Sequence, residues 1–167
     1  MTMRFRFVVL CLAAVSAMST GCGYSTKRPF SNEIDTVHVE MFSSKEFRRE
    51  LEFRLTEALV KRIEMDTPYR ISPKLKADAL LSGEILEVYN RTFGDDRQTG
   101  RPREIGATVI VRYRLQDMRN GDVLVEYPRF IYQTSYIPPV GETFTDAMTR
   151  AMDGMAQRIV ESMEVAW

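Results

Sequence analysis

Few side chains in this chain of 167 residues could do chemistry: two thiols, Cys11 and Cys22, one imidazole, His38, and scattered carboxylates. A thiol can attack a substrate or hold zinc. The single histidine, however, leaves no cysteine or serine with a base to activate it, and no Cys/His cluster with metal-ligand spacing. No glycine-rich loop could cradle a phosphate. Carboxylate pairs occur, Asp95 with Asp96 and Glu84 with Glu87 among them. The first pair adjoins Arg97 in a polar loop, and neither has the apolar setting that would raise a pKa for acid–base work. No catalytic residue, metal ligand or cofactor is therefore expected.

The positive signal is local charge. Arg91, Arg97, Arg101 and Arg103 set four cations against Asp95 and Asp96, with Phe93 beside them. A guanidinium fork matches phosphate bidentately, and a neighbouring aromatic suits an acyl or sugar surface. Such a loop is either an ordinary solvated connection or a contact for an anionic ligand.

Cys22 carries the other signal. Arg4 and Arg6 precede twelve residues, 7–18, in which only Ser16 is polar, and Ser19, Thr20 and Gly21 lead into the cysteine. That is the layout of an export leader, at about 18 Å of helix too short for a ~30 Å bilayer core. The small residues before Cys22 resemble the bacterial lipobox, with Ser19 where leucine is usual. The resemblance implies removal of residues 1–21 and acylation of Cys22. Two or more acyl chains hold a protein stably on a membrane. Gly23, not Asp, follows the cysteine, which by the enterobacterial sorting rule implies the periplasmic face of the outer membrane.

The leader takes two of the 23 basic residues and none of the 23 acidic ones, so residues 22–167 carry a net charge of −2. Nothing in that balance argues for nucleic acid. With Cys11 removed and Cys22 acylated no thiol is left for a disulfide, so one domain must hold together by apolar packing.

Residues 22–35 read as a lipidated tether and residues 36–167 as the domain. Val37, Val39 and Met41 alternate with Thr36, His38 and Glu40 in a strand over 34–41, with His38 facing solvent. Ser43, Ser44, Lys45 and Glu46 have capping-box spacing before a helix to about residue 65, striped by Phe47, Leu51, Leu55, Ala58, Leu59 and Ile63. A short strand at 69–72 precedes one reaching about Phe93, with a bulge expected near Ile85 and Leu86. Residues 105–115 alternate most clearly. Asn120 and Gly121 suit a two-residue hairpin turn, and Pro128 in the return strand belongs at an edge or bulge. Arms of this length would outrun the helices. Thr143 and Asp146 mark a weaker cap for a last helix striped by Phe144, Met148, Ala151, Met155, Ile159 and Met163, which reads as core filler or as an adaptable binding face. The expected fold is α+β: a two-layer sandwich of a four-stranded, mostly antiparallel or mixed sheet with two helices on one face.

The order of short motifs resembles the LPS-assembly lipoprotein LptE family. Cys22-Gly23-Tyr24 looks like its opening. Val37 to Phe42, the run from Ala77 to Ile85, and Asp117, Gly121 and Val123-Leu124 are similar to its strand, its Ala-Asp segment and its hairpin. The resemblance implies an LptD-like outer-membrane β-barrel and lipopolysaccharide as partners, with the domain as a plug in the barrel that aids its assembly and lipopolysaccharide insertion. Another class stays open: a scaffold or activator lipoprotein for a peptidoglycan synthase or ABC transport complex. A tether of about thirteen residues reaches roughly 20 Å and favours a partner in the same membrane.

Overall fold

Alternation over residues 105–115 puts Ala107, Val109, Val111, Tyr113 and Leu115 on one side of a strand, and all five are buried. They form the middle of the core in a computed structural model that describes residue 30 and residues 33–46, 50–95 and 102–164. The order is β1 (Thr36–Val39), β2 (Ser43–Ser44), α1 (Leu51–Asp66), β3 (Arg70–Ile71), β4 (Ala79–Asp95), β5 (Pro102–Asp117), β6 (Val123–Tyr136) and α2 (Phe144–Glu161). The sheet is mixed, in the order β3-β1-β4-β5-β6, with β2 added alongside β4. β1 runs parallel to β3 and β4, and β4, β5 and β6 form an antiparallel meander.

Six strands replace the expected four. β3 falls within the short strand expected at 69–72, whereas β2 is a two-residue ladder, too short for any period-2 pattern to announce it. The capping box at Ser43 fails for the same reason. Ser43 and Ser44 pair with Glu84 and Ile85, and the Glu46 carboxylate accepts from the Val88 amide at 3.0 Å, not from its own helix. α1 starts later, after Glu50 at φ 81°, and lacks a side-chain cap. Its stripe still holds: Leu55, Leu59 and Ile63 are fully buried, at about 1.5–3 kcal/mol each. Phe47 lies outside the described residues.

β1 ends at Val39, so Met41, expected on its buried side, is exposed and Phe42 is buried instead. The Phe42 ring lies on Gly83, whose missing Cβ would also sit 2.6 Å from the Arg112 carbonyl. Phe30 and Ile34, expected within the tether, belong to the core, with the Phe30 ring edge-on to Tyr69 at 5.6 Å.

The bulges fall where the pattern breaks. Leu86 is left out of register between Ile85 and Glu87, and Pro128 with Arg129 faces the single residue Arg112. That extra residue puts Tyr127 and Phe130 on one side of β6, which explains its change of phase. The β5–β6 turn is longer than two residues. Its Gly121 amide reaches the Asp117 carbonyl at 2.9 Å, and only Gly121, at φ 82°, takes the left-handed conformation that a two-residue turn would also demand of Asn120. At α2 the weaker-looking signal is the real cap: Thr143 and Asp146 form a reciprocal box. The methionines in and just after α2 are core, with Met148, Met152, Met155 and Met163 all buried.

Candidate functional site

The helices cover one face of the sheet, and the other face divides in two along β4 and β5. In the half nearest the N-terminus of β4, charged side chains alternate outward. Glu84 pairs with Arg112 at 2.7 Å and with Lys45 at 3.9 Å, Glu87 with Arg129 at 3.6 Å, and Glu40 with Lys74 at 2.6 Å. The register sets Arg114 between Ser82 and Glu126. An open depression of about 450 Å³ lies here, lined by Glu84, Arg112, Arg114, Glu126 and Pro128 among others. Its charges face one another, so it offers an incoming ion little unspent field.

The half toward the β4–β5 tip is different. Tyr89, Arg91 and Phe93 stand at alternate places on β4, opposite Thr108 and Gly106 of β5, with Ile131 on β6 across Ile110. Tyr89, Phe93 and Ile131 are 45%, 58% and 44% exposed, and the Phe93 ring lies over Gly106. The cross-strand neighbour of Arg91 is that glycine, not a carboxylate. From Tyr89 to Gly94, and again at Arg103 and Glu104, every residue is exposed, so the tip stands clear of the helix layer.

Arg91 and Arg103 thus sit on the two arms of the tip. Arg97 and Arg101 lie outside the described residues, as does Cys22. Sequence reading missed Tyr89 and Ile131 as surface groups, because aromatic and β-branched residues in a strand signal burial by default. The carboxylate pairs go separate ways: Glu84 and Glu87 take different arginines across a bulge. Among the described residues no cluster of three or more His, Cys, Asp or Glu could hold a metal, and no helix is long and apolar enough to cross a membrane.

His38 is half-buried, and its Nδ1 lies 2.9 Å from the Ser72 carbonyl oxygen. The ring therefore has a partner that its sequence neighbourhood did not supply, and serves as a pin between β1 and β3. Two aspartates hold the end where the chain enters the domain. Asp78 accepts from the Asp35 and Thr36 amides at 3.2 and 2.9 Å and from the Thr36 hydroxyl at 2.7 Å; the hydroxyl bond above all lowers its pKa. Asp117 accepts from Arg119 Nε at 3.0 Å, Nη2 at 2.6 Å and the Arg119 amide at 2.8 Å, which lowers its pKa to about 2. These are structural carboxylates.

Comparison with known proteins agrees with this architecture. The chain resembles the hypothetical protein CT253 of Chlamydia trachomatis, with 15% identity, a TM-score of 0.53, and 78% of this chain and 98% of that one covered. It also resembles the PelC dodecamer protein of Paraburkholderia phytofirmans, with 17% identity, a TM-score of 0.55, and 84% and 96% covered. At such identities the likeness establishes the fold alone. No curated protein sequence matches the chain. The family model described as LptE, lipopolysaccharide-assembly, matches residues 34–163, which span both helices and all six strands. The chain belongs to the LptE lipopolysaccharide-assembly family.

Proposed function

We propose that this protein is a lipid-anchored, non-enzymatic component of the outer membrane. Its domain occupies the lumen of an LptD-like β-barrel, supports assembly of that barrel and assists passage of lipopolysaccharide to the outer leaflet. Residues 1–21 are its removed leader and Cys22 its acylated residue. The observation that carries the reading is the family match across the folded domain. The uncovered sheet face supports it: a surface whose charges are paired within the domain can lie against the polar, wet interior of a wide barrel without needing a dry core. The tip with Arg91, Phe93 and Arg103, together with Arg97 and Arg101, is the part suited to a phosphorylated, acylated ligand.

Gentle detergent extraction tests the partner, with co-isolation of an outer-membrane barrel as the expected result. Recovery of the lipoprotein alone removes the plug. Charge reversal at Arg97 and Arg101 tests the ligand. Lipopolysaccharide affinity should fall, and unchanged affinity removes that role from the loop.

A further inference from the structure

The end of the domain where the chain enters collects exposed apolar side chains that the core does not use. The Asp78 carbonyl accepts from the Met118 amide at 2.7 Å, and the Lys76 carbonyl from the Thr36 hydroxyl at 3.4 Å. The first strand, the turn before β4 and the β5–β6 turn are thus bonded together at this end. On these segments Leu75 is fully exposed, and Met118, Val123 and Leu124 are 42–47% exposed. A second depression, of about 560 Å³, opens between Ile34, Tyr69, Leu115, Leu124, Val125 and Met163. Of the cations near these residues, Lys74 is engaged on Glu40 and Arg119 on Asp117 by a two-point fork.

Chain length says what faces this end. Phe30 is buried against Tyr69, beside the C-terminal turns of both helices, so only residues 23–29 separate Cys22 from a fixed point on the domain. Fully extended, that leash spans about 28 Å, and as a flexible chain about 15 Å. Phe93, at the far end of β4, stands about 45 Å away along the strand.

We infer that this end projects from the barrel lumen as a membrane-contact surface, with Leu75, Met118, Val123 and Leu124 inserting into the headgroup layer of the leaflet that holds the anchor. The inference rests on acylation of Cys22. Contact is apolar, with the lysine stems lying along the interface, so it does not depend on anionic lipid.

The test uses the full processed lipoprotein in phosphatidylethanolamine–phosphatidylcholine vesicles. Acylated Cys22 has no free sulfur, so Leu75→Cys, Leu124→Cys and Phe93→Cys each provide one labelling site for an environment-sensitive fluorophore. All three positions are exposed, and an unchanged thermal melt verifies folding. Nitroxide-bearing lipid should quench the labels at 75 and 124 severalfold more than the label at 93, with and without added anionic lipid. Vesicle flotation with equal quenching at all three sites, or most at 93, overturns the surface and leaves the anchor standing. Failure to float, with a second reactive thiol at Cys22, overturns the anchoring reading and the surface with it.

Discussion

The two halves of the uncovered sheet face are built from the same three strands and do opposite things with charge. Near the start of β4, acids and bases stand across from each other, and Glu84, whose side chain is only 15% exposed, is held by Arg112 and Lys45. Toward the tip, Arg91 stands across from a glycine, with Tyr89 and Phe93 beside it on β4. The lesson is that a cation count along the chain does not locate a recognition surface. Arginines matched by a carboxylate stabilise the sheet, and Arg91, set among aromatics, has a glycine across from it instead.

Glycine substitutions should separate the halves most strongly. Gly83→Val drives a side chain into Phe42 and the Arg112 carbonyl and should cost about 3 kcal/mol in chemical denaturation. Gly94→Val at the tip meets nothing within 4 Å and should change stability by less than about 0.5 kcal/mol. Acid should act next, and at the end with the two structural aspartates. Their folded pKa values are depressed, so their stabilisation is complete above the unfolded value of about 3.9. It is lost as pH falls through the folded value, about 2 for Asp117. Thermal melts should hold steady above pH 5 and drop most between pH 4 and 2, and Asp117→Asn should flatten that drop. The two capping motifs give a third contrast. Thr143→Ala removes a formed box and should cost about 1 kcal/mol, whereas Ser43→Ala should leave α1 unaffected. The smallest stability effects belong to the arginines. Arg112→Ala should cost about 1 kcal/mol by leaving Glu84 with only the distant Lys45, and Arg91→Ala should cost almost nothing while weakening lipopolysaccharide binding. Equal losses from both would erase the distinction between the halves.

Much of the fold was legible because long elements advertise their period. Phe47 aside, the stripes of α1 and α2 and the alternation of β5 pack in the core, Phe144 and Ile105 only partly buried, and the bulges at Leu86 and Pro128 sit where the period breaks. Partners distant in sequence were not legible. Whether Glu46 closes a cap or accepts from Val88 depends on a strand 42 residues away, and His38 meets Ser72 only after β3 has paired. The burial of Phe30 was not legible either, because it has no periodic companions before it finds its place in the core. Arg91 was found by charge alone. Tyr89 and Ile131 could have been found only by knowing that no helix covers their side of the sheet.

Photo-crosslinking from Tyr89 and from Glu126, one in each half of the uncovered face, tests the plug most directly when carried out in intact cells and followed by mass spectrometry of the captured protein. The account predicts that both positions capture the same outer-membrane β-barrel. Capture of a soluble periplasmic or inner-membrane protein from both would contradict it.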